Sequence, residues 1–133
     1  MTDSPRLRVS SGTAFEAAVG YSRAIRVRDS VFVSGTTAMK DGKFVGYGDA
    51  AAQTRQILKN IGWALSQAGA TPSDVVRCRI YLTDINQWQA VGAELVKVFG
   101  DVRPASTLVE VNALIDPAMM VEIEVDAIVD SDF

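Results

Sequence analysis

The stretch RPASTLVEVNALIDPAMMVEIEVDAIV, residues 103–129, decides the fold of this chain. It predicts two β-strands joined by a turn, at about 105–111 and 120–129. The second strand alternates apolar residues with three acids, Glu122, Glu124 and Asp126. This period of two places the apolar set on one face of a sheet and the carboxylates on the other.

We expect helices to cover the apolar face of this sheet. The opposite face is then lined by charged and polar residues, with a few apolar ones: Arg77, Arg79, Tyr81, Ser106, Leu108 and the three acids. One interpretation is a solvated face with cross-strand ion pairs. The other is a subunit interface, which the interspersed apolar side chains and the general preference for symmetric homo-oligomers favour.

The amino-acid composition argues against several classes of function. The length of 133 residues fits a single domain, 1–133. A net charge of −3 argues against a general nucleic-acid binder. The chain has no histidine and one cysteine, which removes histidine-dependent catalysis, an internal disulfide and a structural zinc site. We expect no metal, no membrane span and no secretory leader, and therefore a cytoplasmic location.

The remaining elements are predicted from local patterns. A short strand falls near residues 7–9, and a hairpin follows over 23–28 and 31–35. Asp41-Gly42 predicts a two-residue turn. Asp49 is the expected N-cap of a first helix that ends at Gly69.

The second half of the chain continues with a strand over 74–82, whose covered face we expect to hold Val76, Cys78, Ile80 and Leu82. A second helix follows from Thr83 or Asp84 to Gly100, with Trp88 in its apolar stripe. The predicted order ββ(β)αβαββ favours an α+β two-layer sandwich, a mixed β-sheet with two helices on one face.

Five segments together carry a resemblance to a known family: VFVSGTTAM (31–39), AAAQTRQILKNIGWALSQAGA (50–70), DVVRCRIYLTDI (74–85), RPAS (103–106) and VEIEVDAI (121–128). In this order and spacing they resemble the Rid family, named for reactive intermediate deaminase and also called YjgF. The resemblance implies a chorismate-mutase-like fold and a homotrimer with small-molecule sites in the clefts between subunits. It further implies hydrolysis of enamines and imines without a metal or cofactor.

The resemblance assigns roles to four residues of this chain. Glu122 occupies the position of the acid that handles the water or proton, and is the candidate catalytic residue. Three others occupy substrate-binding positions: Tyr21, Ser34 and Gly35. With no histidine to activate it, we interpret Ser34 as a structural or ligand-orienting residue rather than a nucleophile.

Three further substrate-binding positions differ from the deaminase branch: Ser106 stands where that branch has a carboxylate-binding arginine, Leu108 where it often has cysteine, and Gly92 where it has asparagine. Serine cannot supply the bidentate, charge-assisted pair of an arginine. Arg103 is a poor substitute if the strand extends to it, because an offset of three turns its side chain to the other face. Arg23, Arg77 or Arg79 of a neighbouring subunit could enter the cleft instead. We interpret Gly92 first as a close-packing glycine.

The leading hypothesis is a homotrimer that hydrolyses an imine, an enamine or a related substrate other than the simple 2-imino acids. A non-catalytic ligand-binding or regulatory trimer is the alternative. RNA cleavage, which occurs in some relatives, is the weakest hypothesis, because the chain is acidic and has no histidine.

Overall fold

The structure is a computed structural model that describes residues 6–130. Within them lie three α-helices, α1 (Ala14–Val19), α2 (Ala50–Gln67) and α3 (Trp88–Phe99). The same residues form eight strands: β1 (Leu7–Val9), β2 (Ala24–Val27), β3 (Ser30–Thr36), β4 (Met39–Lys40), β5 (Lys43–Phe44), β6 (Val75–Leu82), β7 (Ala105–Glu110) and β8 (Val121–Ile128).

Six of the strands form one mixed sheet in the order β1-β2-β3-β8-β6-β7, and β4 and β5 form a separate hairpin. Strands β6 and β7 are parallel, and the other neighbours in the main sheet are antiparallel. The predicted α+β fold with one mixed sheet is confirmed. The prediction that the two strands of residues 103–129 follow one another as a hairpin is wrong, because β6 lies between them. Helix α3 provides the long connection that a parallel β6–β7 pair requires.

The core lies between the sheet and α2, which packs on β3 and β8 and also contacts α3. Each apolar residue of the predicted alternation in β8 is at most 1% exposed: Val121, Ile123, Val125 and Ala127. The intervening acids of β8 lie on the opposite face, beside Arg77, Arg79 and Tyr81 of β6. The period-two pattern therefore predicted the covered and uncovered faces of this strand correctly.

Two residues of β7 were assigned to the wrong face. Ser106 pairs in register with Cys78, and Leu108 with Ile80, and both β6 partners are buried on the helix side. Neighbouring residues in register point to the same face of a sheet. Ser106 and Leu108 therefore lie on the helix side, at the sheet edge, and not beside the acids. Which residues of a strand face the helices depends on its register with the neighbouring strand. The strand's own sequence does not show that register.

Two apolar residues predicted to be covered are exposed instead. Val76 is 43% exposed and Val75 takes its place in the core, because an irregularity in the β6–β8 pairing shifts the register between Val75 and Arg77. Trp88 is 53% exposed at the start of α3, while Val91 and Phe99 are the apolar residues of that helix that are buried.

The predicted N-cap of α2 and the Asp41-Gly42 turn agree with the structure, but the predicted start of the second helix at Thr83 or Asp84 is wrong. Asp84 caps a short 3-10 turn, Ile85–Gln87, and α3 begins after it at Trp88. Asp49 caps α2 by accepting a hydrogen bond from the backbone N–H of Ala52 at 3.0 Å. Asp41 and Gly42 both have positive φ, as a two-residue hairpin turn requires. Helix α1 was not predicted, because its six residues are too few to show a helical period.

Substitution of a core residue of β8 should cost far more stability than the same substitution at the strand's end. Ile123 is fully buried, whereas Ile128 is 47% exposed. We expect Ile123→Ala to lower the free energy of unfolding by about 2–5 kcal/mol, and Ile128→Ala by less than about 1 kcal/mol. Urea unfolding at one fixed protein concentration measures both. Equal losses would contradict the central position of β8.

Candidate functional site

Four of the predicted site residues line one cavity of about 930 Å³: Tyr21, Ser34, Gly35 and Glu122. They come from three parts of the chain, the segment after α1, strand β3 and strand β8. The cavity is also lined by Met119, which precedes β8, and by residues of α1, the β4–β5 hairpin and α2. The fold therefore brings these four residues together without any contribution from β7 or α3.

An irregularity in the β3–β8 pairing shapes this cavity. Val33 pairs with Val125 but Thr36 pairs with Ile123, so β3 holds one extra residue in the interval that contains Ser34 and Gly35. A Cβ atom on Gly35 would lie 2.0 Å from Oε2 of Glu122. The missing side chain of Gly35 is therefore what allows the Glu122 carboxyl to lie against β3. Bulges of this kind redirect side chains and are frequent beside functional sites.

Glu122 differs from the other two acids of β8. Asp126 and Glu124 both pair with Arg79, at 3.2 Å and 3.7 Å, and Glu124 also accepts a short hydrogen bond from the Tyr81 hydroxyl. The Glu122 side chain makes no hydrogen bond or ion pair within residues 6–130. Burial raises the pKa of Glu122 above the ordinary value of a glutamate; the charge of Arg23 opposes this rise and that of Glu124 adds to it. An unpaired carboxyl with a raised pKa is better suited to accept and release a proton than an ordinary, ion-paired glutamate.

A buried glutamine fixes the segment that leads into β8. The side chain of Gln53 on α2 is fully buried and donates hydrogen bonds to the backbone oxygens of Gly46 at 2.9 Å and Ala118 at 3.0 Å. Its Oε1 accepts a hydrogen bond from the backbone N–H of Met120 at 2.8 Å. Two of these three hydrogen bonds hold the segment that precedes β8, and so fix the start of the strand that carries Glu122.

The hydroxyl group of Ser34 donates its hydrogen bond to a backbone carbonyl oxygen. Its Oγ donates to the carbonyl oxygen of Ser22 at 2.7 Å, and its backbone N–H donates to the carbonyl oxygen of Arg23 at 3.0 Å. This pair of bonds holds the segment after Tyr21 beside β3. The arrangement agrees with the interpretation of Ser34 as an orienting residue, because its hydroxyl keeps only acceptor capacity for a ligand.

Arg23 and Glu16 are charged residues at or beside this site whose positions the sequence did not predict. Arg23 lies in the cavity wall of its own chain, with its guanidinium 5.5 Å from the centre of the Tyr21 ring. It was expected only as an arginine that could enter from a neighbouring subunit, although an offset of two from Tyr21 puts both residues on one face of an extended segment. Buried Glu16 of α1 accepts hydrogen bonds from Ser11 and Thr13 and so holds two residues that line the cavity. Burial acts to raise the pKa of Glu16, but these hydrogen bonds and the Arg23 charge lower it below its ordinary value.

The other three predicted site residues lie elsewhere. Ser106 lines a second cavity, of about 400 Å³, between β6, β7 and α3. Leu108 lies on the same side of β7 and packs against the core. Gly92 is on α3, and an added Cβ would meet nothing within 4 Å, so the interpretation of Gly92 as a close-packing glycine is wrong. The two cavities share no lining residue.

The second cavity also contains Cys78 and Arg103. Burial raises the pKa of the Cys78 thiol to about 11, in agreement with the interpretation of Cys78 as an inert apolar residue. Arg103 has a φ of 53° and precedes the start of β7 at Ala105. The strand does not extend to Arg103, so strand alternation does not decide to which face of the sheet its side chain points.

The described residues contain neither a candidate metal site nor a candidate membrane-spanning helix. In the described part of the chain, no three His, Cys, Asp or Glu side chains cluster so that they could hold a metal ion. None of the helices in residues 6–130 has the length and apolar content to cross a bilayer.

The fold and the site agree with one protein family. Residues 11–129 match the family described as Endoribonuclease L-PSP, which includes the YjgF and Rid proteins, and the chain belongs to this family. The structure resembles that of Rv2704 from Mycobacterium tuberculosis, described as a member of the YjgF/YER057c/UK114 family. The two chains are 54% identical with a TM-score of 0.86, over 94% of this chain and 100% of that one.

Relatives with functional names are also similar to this chain. The 3-aminoacrylate deaminase RutC of Acinetobacter baylyi is 36% identical over 104 residues, which cover 77% of this chain and 82% of that protein. Reactive Intermediate Deaminase A, chloroplastic, of Arabidopsis thaliana is 39% identical over 101 residues, which cover 74% of this chain and 54% of that protein. Deaminase and endoribonuclease names therefore both occur in the family.

The contact between Gly35 and Glu122 gives a test of how this site is built. In Gly35→Ala the added methyl group must displace the Glu122 carboxyl, which is the end of a flexible side chain. We expect the displaced carboxyl to reach more solvent, so that the pKa of Glu122 falls toward its ordinary value. The ¹³C shift of the Glu122 carboxyl, followed by NMR through a pH titration, measures this change.

Gly62→Ala in α2 is the matched control, because an added Cβ at Gly62, unlike one at Gly35, meets nothing within 4 Å. The control should leave the pKa of Glu122 unchanged and stabilise the helix slightly. An unchanged Glu122 pKa in Gly35→Ala would show that Gly35 does not shape the site.

Proposed function

We propose that this protein is a homotrimer of chorismate-mutase-like protomers that hydrolyses the C=N bond of an imine, or of the imine tautomer of an enamine, in cavities between its subunits. The observation that carries the proposal is Glu122, an unpaired and partly buried carboxyl in the wall of a large cavity. The deaminase names of relatives such as the 3-aminoacrylate deaminase RutC support the same chemistry.

Glu122 would act as the proton carrier of the reaction. As a carboxylate it removes a proton from water while the water oxygen attacks the imine carbon, and as a carboxylic acid it then protonates the nitrogen. The resulting carbinolamine loses ammonia and leaves a carbonyl product, so the reaction consumes one water and no cofactor. A raised pKa supports both steps, because the carboxyl is a stronger base before proton transfer and stays protonated long enough to act as an acid.

The positions of the family's site residues support a site shared between two copies. Tyr21, Ser34 and Glu122 line one cavity, while Ser106 lines the other, on the helix side of the sheet. Two strand spacings of about 4.8 Å separate β8 from β7, and Glu122 and Ser106 also point to opposite faces. A single copy therefore does not present both sets of residues to one small ligand. A second copy would supply the β7 edge to the Glu122 cavity of the first.

The exposed surface also favours association between copies. Strand β7 is an edge strand whose outer backbone groups have no partner strand within residues 6–130. Val109 on this strand is 40% exposed, and Val76 on neighbouring β6 is also exposed. An unprotected edge beside apolar side chains is a typical site of association. A head-to-tail contact between β7 of one copy and the Glu122 face of the next would close into a ring of three.

The proposed trimer can be tested by measuring the molecular mass of the protein in solution. We expect light scattering to give three times the chain mass of 14.3 kDa. Val109→Asp should reduce the mass toward one copy, because a charge would be buried at the contact. Leu7→Asp, at the opposite edge of the same sheet, is the control and should keep the larger mass. A wild-type mass equal to one copy would refute the shared site.

The catalytic role of Glu122 is tested with a panel of freshly generated imines, enamines and unsaturated amino acids. We expect wild-type protein to accelerate ammonia release from some of these compounds but not from 2-iminopropanoate, because Ser106 stands at the position of the family's arginine. Glu122→Gln keeps the shape of the side chain but cannot carry the proton, so its rate should fall by about 100-fold or more. Asp126→Asn, on the same strand and face but outside the cavity, should retain activity.

Two other outcomes distinguish the competing functions. A compound that raises the melting temperature of the wild type without being consumed would favour the non-catalytic binding or regulatory trimer. Cleavage of RNA that persists in Glu122→Gln would favour the endoribonuclease function named by the family description, although the net charge of −3 opposes it. Full deaminase activity in Glu122→Gln would refute the proposed mechanism.

A further inference from the structure

Arg23 is a buried cation whose hydrogen-bonding capacity is largely unused. Arg23 directly precedes β2, and the residue is only 8% exposed. Nη2 donates a hydrogen bond to the carbonyl oxygen of Gly35 at 2.8 Å. Nε is buried and has no acceptor within the described residues. Because nearly all buried polar groups in proteins are hydrogen-bonded, a guanidinium with one used donor out of five requires an explanation.

The charge of Arg23 also lacks a direct partner. Glu16 and Glu122 are close enough for their pKa values to respond to it, but neither forms an ion pair with it within 4.0 Å. Glu16 instead accepts hydrogen bonds from Ser11 and Thr13. By contrast, Arg79 on the open face of the sheet pairs with two carboxylates. A buried charge without a partner is costly, so the protein gains stability when an anion reaches it.

The position of Arg23 connects this unused capacity to the candidate site. Its guanidinium lies over the ring of Tyr21 and holds the backbone of Gly35, the residue against which Glu122 packs. The same cavity wall carries large apolar side chains, Phe15, Val19, Trp63, Ile115 and Met119. The cavity therefore combines a buried, unpaired cation with an extensive apolar surface.

We propose that Arg23 is the anion-binding residue of this cavity and that the protein's ligand is a small carboxylate with an apolar body. The flat guanidinium fork matches a carboxylate, and charge-assisted hydrogen bonds to it are about twice as strong as neutral ones. This inference rests on the proposed function, since it assigns a chemical class to the compound bound beside Glu122. It also places the carboxylate at β2, and not at the β7 position now occupied by Ser106.

The alternative is that Arg23 has a purely structural role and only donates a hydrogen bond to the carbonyl oxygen of Gly35. That role needs a single N–H donor, which glutamine also provides. The two roles therefore differ in one measurable property, the preference for a charged ligand over an uncharged one of the same shape.

The experiment compares 3-phenylpropanoate with 3-phenylpropanamide by isothermal titration calorimetry at constant ionic strength. We expect the wild type to bind the carboxylate at least about tenfold more tightly than the amide. Arg23→Gln and Arg23→Lys separate charge from fork geometry: glutamine should abolish the preference, and lysine should restore only part of it. Arg8→Gln, an exposed arginine outside the cavity, should keep the full preference.

Each outcome decides the proposal. Equal wild-type affinities for the two compounds, or no binding of either, would overturn it even if the Arg23 variants fail to fold. A preference that survives in Arg23→Gln but is lost in Arg103→Gln would overturn it in favour of the arginine beside Ser106. Glu122→Gln should bind 3-phenylpropanoate at least as tightly as the wild type. A carboxylate preference that depends on Arg23, in a protein with no deaminase activity, would refute the proposed function and leave this inference standing.

Discussion

The position of β8 between β3 and β6 is the constraint on which the rest of the structure depends. Its four apolar residues are buried, and its three acids must therefore emerge on the opposite face. A register slip of one residue would bury three carboxylates and expose the core, which fixes the register strongly. The same register places Glu122 beside Gly35 and sets Glu124 and Asp126 beside Arg79.

The chemistry of the cavity follows from which charges remain unpaired. Arg79 engages Glu124 and Asp126, so these acids are occupied in the folded chain. Glu122 and Arg23 have no such partner within residues 6–130, although each acts on the other through space. A proton carrier and an anion-binding group in one partly apolar cavity suit a small anionic substrate better than a polyanion such as RNA.

Four of the seven residues that the family resemblance assigned to the site lie together within one chain. Tyr21, Ser34, Gly35 and Glu122 line one cavity, as a shared ligand site requires. Ser106, Leu108 and Gly92 lie outside that cavity within one chain, and this could not be seen in the sequence. The side of the sheet on which Ser106 lies depends on its pairing with Cys78, a contact across 28 residues of chain. Arg23 was expected only from a neighbouring subunit, although it shares the parity of Tyr21 within its own chain.

The sequence by itself determined the α+β class, the two faces of β8, the cap of α2 and the Asp41-Gly42 turn, because each follows from local periodicity or local backbone preference. Only the tertiary structure decided the insertion of β6 between β7 and β8, the exchange of Val75 for Val76 in the core and the burial of Arg23. These features depend on which distant segments pair and where the pairing is irregular. Such choices are made by the free energy of the whole packed sheet, and no short stretch of residues contains them.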